Sequence, residues 1–254
     1  MSEIISSKKE IEKIFSEFKN TVRRGGFHEK IYDDVLQKKI RFPLLENIAE
    51  KVFDFIPEKN QIEFCKNIID FKTIGGNVIA GIILQKRMKN NFEESQYYAI
   101  EFMNTGNEWY SCDIITERVL GVALLNEPEK MFDVFNIYFS SGKNKTYSKF
   151  KKYSGNKWAV RGVGVAAHYA VKKGLQKKYI QPLFELLLSQ SKITGHHEKT
   201  GIGWGAKTCV KFHNELISLY KNEIANAGQW FKAKVKIGII NSEYKKQKLL
   251  AKNV

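Results

Sequence analysis

The chain has 254 residues, enough for one large domain or two small ones, and its 43% apolar content excludes wholesale disorder. The 42 Lys and Arg residues outnumber 27 Asp and Glu residues, and the formal net charge of +15 predicts a polyanionic partner, foremost nucleic acid. No apolar run is long enough to span a membrane, and the N-terminus lacks a secretory signal, so we expect an intracellular protein. An anionic membrane surface is the weaker alternative, because no segment concentrates the charge into a basic amphipathic anchor.

Taken in chain order, apolar residues recur at helical spacing, in stripes over 11–18, 44–53 and 183–187. Polar or glycine breaks separate the helix-sized pieces. They lie at 25–26, 57–58, 75–76, 104–107, 140–143 and 191–195. No series of alternating strands joined by hairpin turns is present. The sequence therefore predicts an all-α chain of about a dozen helices in one domain over residues 1–254, with 240–254 as a basic last helix or a solvated tail.

Cysteine and histidine usage gives no sign of a metal or cofactor site. Cys65, Cys112 and Cys209 are odd in number, far apart and outside any CxxC pattern, which argues against a disulfide framework or a zinc site. The adjacent His196 and His197 have no matching Cys/His cluster and are interpreted as part of a polar loop. We therefore expect no metal and no cofactor.

Three helical pieces begin with a tryptophan and carry a charged residue about one turn later. These pairs are Trp109 with Asp113, Trp158 with Arg161, and Trp204 with Lys207. The tryptophans are 49 and 46 residues apart, close to the period of a HEAT-like helical pair. Equivalent helices of such a solenoid line one concave surface, which would bring the charged residues onto a common face. The alternative is that each tryptophan packs between repeats.

The ordered segments W-x3-D, W-x2-R and IGW, at those three positions, resemble the AlkD-like DNA alkylation repair glycosylases. IRFPLLENIAEKV, at residues 40–52, is similar to a helix start of the same family, so the resemblance runs from about residue 30 to about residue 225. It implies a HEAT-like helical-repeat solenoid, a curved stack of antiparallel helix pairs with a basic concave face. It also implies a monofunctional DNA N-glycosylase that releases cationic alkylated purines such as 3-methyladenine and 7-methylguanine.

By the same resemblance, the catalytic carboxylate is Asp113 and its partner aromatic is Trp109. The functional arginine of the family's tryptophan–arginine segment is Arg161, while Val160 replaces a second arginine. An ionised carboxylate suits this reaction because it stabilises an oxocarbenium-like sugar and can direct water to the anomeric carbon. Tryptophan offers the best π face for a cation. Arginine would hold a backbone phosphate and keep the nearby aspartate ionised.

The resemblance also implies DNA contacts at Trp204 and at Lys207, which stands where the family has an arginine and so lacks the bidentate fork. Thr200 stands where the family has a lysine, with Lys199 beside it. We expect Lys199 and Lys157 to contact the DNA backbone as well. These departures bear on substrate preference and phosphate contact and leave the predicted catalytic trio intact.

The expected partner is double-stranded DNA containing alkylated bases, bound by a monomer in a bacterial cytoplasm or nucleoid or in a eukaryotic nucleus. Two alternatives stay open. The first is a catalytically silent member of this architecture that binds DNA or another branched or damaged nucleic acid. The second is a HEAT-like scaffold for protein partners, because protein-binding solenoids share the fold and often carry charge.

Overall fold

The computed structural model describes residues 4–5, 7–21, 31–139 and 147–250. It is 81% helical with almost no strand, which confirms the all-α prediction. Strands β1 (Ile4–Ile5) and β2 (Lys39–Ile40) form one short parallel pair, with Ile4 opposite Lys39. The chain divides into two compact units at Val119–Leu120. The single domain and the HEAT-like solenoid stay predictions.

The first unit, residues 1–119, contains six α-helices and a π-helical turn at Tyr32–Leu36 within its described residues. The helices are α1 (Lys8–Thr21), α2 (Phe42–Phe55), α3 (Glu58–Asp70), α4 (Ile74–Arg87), α5 (Phe92–Gly106) and α6 (Trp109–Arg118). The segments in which the sequence predicts apolar stripes, 11–18 and 44–53, fall within α1 and α2. Pro43 stands in the first turn of α2, where its missing N–H costs no hydrogen bond.

Helix α4 is the centre of this unit and is buried along most of its length, in contact with α2, α3, α5 and α6. Thr73 caps its start, since the hydroxyl accepts a hydrogen bond from the Gly76 N–H at 3.0 Å. Leu45 of α2, Val78 of α4 and Ile114 of α6 form one buried cluster. Helix α6, which carries Trp109 and Asp113, is thereby anchored to the core of its unit.

Within its described residues, the second unit, 120–254, contains eight α-helices and two 3-10 turns at Ser148–Tyr153 and Lys177–Tyr179. The helices are α7 (Leu120–Asn126), α8 (Pro128–Tyr138), α9 (Lys157–Lys172), α10 (Ile180–Ser189), α11 (His196–Phe212), α12 (Leu216–Leu219), α13 (Lys221–Asn226) and α14 (Gln229–Leu250). Helix α11 packs between α9 and α14 and shares the most extensive helix contact of the unit with α9.

Some predicted helix boundaries are wrong. Trp204 lies in the interior of α11 and does not begin it, and His196 and His197 form the first turn of that helix and not a loop. Gly75 and Gly76 are helical residues of the first turn of α4, so the break precedes them. The breaks at 57–58 and 191–195 do separate helices, and that at 104–107 falls at the end of α5.

The predicted breaks at 25–26 and 140–143 lie outside the described residues. Of the two alternatives for the C-terminus, the helix is observed, because α14 continues to Leu250. Residues 251–254 are not described. Within the described ranges, no helix combines the length and apolar character needed to cross a bilayer.

Candidate nucleic-acid interface

Trp109 is the first residue of α6, and 55% of its surface is exposed. Asn107 ends α5 in the left-handed conformation with φ of 50°, and Glu108 is extended, so the chain turns sharply before α6. The Tyr110 ring meets the indole edge-on, with ring centroids 5.9 Å apart. Trp109 is therefore not a core residue, and its indole is open to a ligand.

Asp113 lies one turn after Trp109 on the same face of α6 and is partly exposed. One turn further on, Glu117 is also partly exposed, whereas Cys112 and Ile115 on the other side are fully buried. The exposed face of α6 thus carries an aromatic followed by two carboxylates. Sequence reasoning missed Glu117, although its spacing of four residues from Asp113 is a signal that could have found it.

The C-terminal end of α6 is fixed by Arg118. Its Nη2 donates to Glu46 Oε1 of α2 at 2.7 Å, and its guanidinium lies 5.4 Å from the centre of the Phe42 ring. The side chain passes over Gly81 of α4, where an added Cβ would come within 3.1 Å of Arg118 Cδ. Ile114 is also buried in the core cluster, so α6 is held along its length. The face of α6 that carries Trp109, Asp113 and Glu117 therefore has a defined orientation.

Trp158, in the second unit, is a core residue. Asn156 caps α9, since its side-chain oxygen accepts hydrogen bonds from the backbone N–H groups of Trp158 at 3.0 Å and Ala159 at 3.1 Å. Only 1% of Trp158 is exposed, and its ring lies 4.6 Å from that of His197. The packing interpretation therefore applies to this tryptophan. The neighbouring Lys157 is exposed, with its ammonium 4.7 Å from the centre of the Trp158 ring.

Arg161 follows one turn later and is 5% exposed. Its Nη1 points to the backbone carbonyl of His197, at the start of α11, at the long distance of 3.5 Å. Burial and the positive charge of Arg161 lower the pKa of His197 below its ordinary value. A phosphate contact by Arg161 would use the small part of its side chain that reaches the surface.

Helices α9 and α11 approach each other through glycines. A Cβ at Gly164 would lie 2.0 Å from the Gly201 carbonyl oxygen, and a Cβ at Gly201 would lie 2.4 Å from the Arg161 carbonyl oxygen. A Cβ at Gly205 would meet the Gly164 carbonyl at 2.7 Å. Only residues without a side chain permit this separation. The close approach fixes Arg161 against α11 and sets Trp204 beside α9.

Trp204 is partly exposed and stacks on His168 of α9, with ring centroids 4.2 Å apart and planes inclined by 25°. Thr208 Oγ1 lies 2.7 Å from His168 Nδ1 and donates its own proton to the Trp204 carbonyl at 2.9 Å. Since that hydroxyl proton is used, Nδ1 must donate to the hydroxyl, and the neutral imidazole carries its lone pair on Nε2. The Trp204 ring is thus held by a histidine of fixed orientation.

The surroundings of this stack are cationic. Burial and the charges of Lys172, Lys207 and Lys211 lower the pKa of His168 to about 4. Burial and the charges of Lys234 and Lys211 lower the pKa of Lys207 as well. Sequence reasoning selected Lys207 and missed His168, Lys172 and Lys211. The spacing of Lys172 four residues after His168, and of Lys211 four after Lys207, places each pair on one helix face and was the available signal.

Lys199, the other predicted DNA contact, lies in the first turn of α11 and is partly exposed. The Thr200 hydroxyl donates to the His196 carbonyl at 2.8 Å, so this side chain forms its hydrogen bond within its own helix. Among the predicted residues, Trp109 and Asp113 share α6 in the first unit. Arg161 and the four predicted DNA-contacting residues belong to the second. The meeting of Asp113 with Arg161 stays a prediction.

No group of three His, Cys, Asp or Glu side chains suited to a metal ion occurs in the described part of the chain. Comparison with known proteins found no matching family model, no matching characterised protein and no matching solved structure.

Proposed function

We propose that this protein is a monofunctional DNA N-glycosylase that excises cationic alkylated purines, of the 3-methyladenine and 7-methylguanine type, from duplex DNA. The observation that carries the proposal is the face of α6, where an exposed Trp109 stands one turn before a partly exposed Asp113. A carboxylate there repels DNA, and an indole exposed by more than half is not explained by packing. Both are accounted for if the ligand develops positive charge.

Excision of a cationic base requires few catalytic groups from the protein. An alkylated purine with a positive charge leaves as a neutral base when the N-glycosidic bond breaks, so no general acid is required. The electron deficit passes to the deoxyribose, and Asp113 stabilises this oxocarbenium-like sugar. The same carboxylate accepts a proton from the attacking water while the water oxygen bonds to the anomeric carbon. The products are the free base and an abasic site.

Trp109 and Arg161 complete the proposed site. The indole face stabilises the cationic base or sugar by about 0.5–2 kcal/mol and shields the carboxylate from water. Arg161 holds a backbone phosphate next to the lesion, which fixes the nucleotide's position and favours the ionised form of Asp113. Arg161 is given this role by the resemblance to the AlkD-like glycosylases, which also implies a HEAT-like solenoid with a basic concave face.

DNA binding is assigned to the second unit, through Trp204, Lys207, Lys199 and Lys157. Lys157 is exposed and the other three are partly exposed, and the chain's net charge of +15 supplies the general attraction to the duplex. Backbone contacts of this kind position the protein without reading sequence. They suit an enzyme that must find a rare lesion in any sequence, acting as a monomer in a nucleoid or nucleus.

The test is to incubate the protein with duplex DNA that carries 7-methylguanine and to quantify the released base. Wild type is expected to release base, and the Asp113→Asn variant is expected to bind the same DNA without releasing it. Glu117→Gln, which removes the next carboxylate on the same face, is the matched control and should retain excision. If wild type and Asp113→Asn both bind DNA and neither releases base, the protein is a DNA-binding module and the enzyme proposal is wrong.

A further inference from the structure

The stack of His168 and Trp204 is surrounded by like charges. The His168 cluster consists of His168 and Lys172 of α9 with Lys207 and Lys211 of α11. None of its three lysines forms an ion pair within the described residues, and Lys234 of α14 adds a further positive charge next to Lys207. Several ammonium groups brought together without a carboxylate repel one another. An anion that binds among these ammonium groups reduces their mutual repulsion.

Within the described residues, no other element that packs along α9 neutralises the cluster. Helix α7, which packs along α9, has the sequence LGVALLN and no ionisable residue. Helices α8 and α10, which touch α9 at fewer positions, contribute no charge that acts on His168. The charges that do act on the ring all come from the three lysines of the cluster, and the partly exposed lysines of α11 remain accessible to a ligand.

We propose that the His168 cluster is a binding site for a phosphodiester of the DNA backbone, and that His168 takes up one proton at Nε2 when the phosphate is bound. This inference rests on the DNA-binding part of the proposed function and is independent of the chemistry at Asp113. The phosphate offsets the charges of the lysines, and the imidazolium then donates from Nε2 while Nδ1 keeps its hydrogen bond to Thr208. DNA binding at this site is therefore coupled to proton uptake.

The direction of the coupling follows from linkage. In the free protein, burial of the ring and the charges of the three lysines hold the pKa of His168 at about 4, so the ring is neutral at physiological pH. A bound phosphate raises that pKa, and the complex binds more protons than the free protein between the two values. Affinity for DNA consequently increases as pH falls through the pKa of the complex, and it levels off below the pKa of the free protein.

The first measurement is the affinity for an undamaged duplex, followed by fluorescence anisotropy at constant ionic strength. If DNA restores an ordinary histidine pKa of about 6.5, wild-type affinity rises roughly thirtyfold between about pH 7.5 and about pH 5. His168→Asn, which can still bond to Thr208, is expected to flatten this dependence. His213→Asn is the matched control, because it removes a histidine that is paired with Glu215 at 3.6 Å, and it should keep the wild-type dependence.

The second measurement needs no variant. Ring NMR of wild-type His168 should show the Nδ1–H tautomer in the free protein and an upward shift of its pKa when the duplex is added. DNA binding with no shift at His168 and no pH dependence overturns the inference and leaves base excision untouched. A normal linkage without base release upholds the inference and defeats the enzyme proposal. Failure to bind duplex at any pH overturns both, and saturation of the shift by inorganic phosphate alone, with DNA adding nothing, overturns the assignment to DNA.

Discussion

Arg87, at the end of α4, is a buried cation that ties three helices of the first unit together. Its side chain is 8% exposed, with Nη2 at 2.5 Å from Glu94 Oε2 of α5. Nη1 donates to Gln61 Oε1 at 3.0 Å and to the Glu58 carbonyl at 3.1 Å, both on α3. A buried charge of this kind is tolerated only with partners in place, because removing one leaves the charge without compensation.

We therefore predict that Glu94→Ala lowers the free energy of unfolding by about 2–3 kcal/mol, somewhat less than for a fully buried pair because Glu94 is half exposed. Glu63→Ala is the control, since its ion pair with Lys66 at 3.4 Å is exposed on both sides and should contribute about 0–1 kcal/mol. Urea denaturation followed by circular dichroism measures both. Equal losses for the two variants would show that Arg87 does not depend on Glu94.

At the level of single residues, only part of the candidate site could be predicted from the sequence. Trp109 and Asp113 could be placed on one face because they share one helix and the spacing is local. The stack of His168 on Trp204 joins residues 36 positions apart in two helices, and no local period encodes it. Nor could the sequence distinguish the exposed Trp109 from the buried Trp158, since each lies in the first turn of its helix and only tertiary packing separates them.

At the scale of elements, the contact between α9 and α11 is the most extensive helix packing in the described part of the second unit. Gly164, Gly201 and Gly205 let the two backbones approach more closely than any side chain would allow. This contact explains why the helix boundary predicted near Trp204 is wrong. The glycines of the run GIGWG lie inside α11, and Gly201 and Gly205 serve its packing against α9. Periodic apolar stripes without such glycines, as in α2 and α10, were located correctly.

Gly164→Ala should destabilise the protein by about 1–3 kcal/mol or more, because the new methyl group would sit 2.0 Å from the Gly201 carbonyl and the helices must separate. Gly203→Ala is the matched variant in the facing helix. Its methyl group meets the flexible Lys234 side chain at 2.8 Å, while alanine favours the helix by about 0.5–1 kcal/mol, so stability should change little. The melting temperatures of both variants, measured by thermal unfolding, test this prediction. An unchanged melting temperature for Gly164→Ala would contradict the close approach of α9 and α11.

At the scale of the whole molecule, the net charge of +15 follows from the composition alone. It is the global property that bears most on the proposed function. The all-α class also follows from the sequence, since helical periodicity recurs along the chain. The arrangement of the helices into a solenoid depends on contacts distant in sequence, and it remains part of the proposal. DNA affinity tests the electrostatic part of the account independently of that arrangement.

If about six backbone phosphates are contacted, affinity for an undamaged duplex should fall by roughly 10³ between about 50 and about 200 mM salt, because bound counterions are released on binding. The measurement is a salt titration by fluorescence anisotropy at fixed pH. Affinity that is indifferent to salt would mean that the surplus of lysine serves some purpose other than binding a polyanion.

The most direct test of the central claim is the single-turnover rate of 7-methylguanine release by wild type and Asp113→Asn, each at saturating protein. We predict that the variant loses roughly 10²–10³ in rate, as expected when a group that stabilises transition-state charge is removed. Its DNA affinity should be unchanged or tighter, because a repelling carboxylate has been neutralised. Equal rates for the two proteins, or release by neither, would contradict the assignment of Asp113 as the catalytic carboxylate.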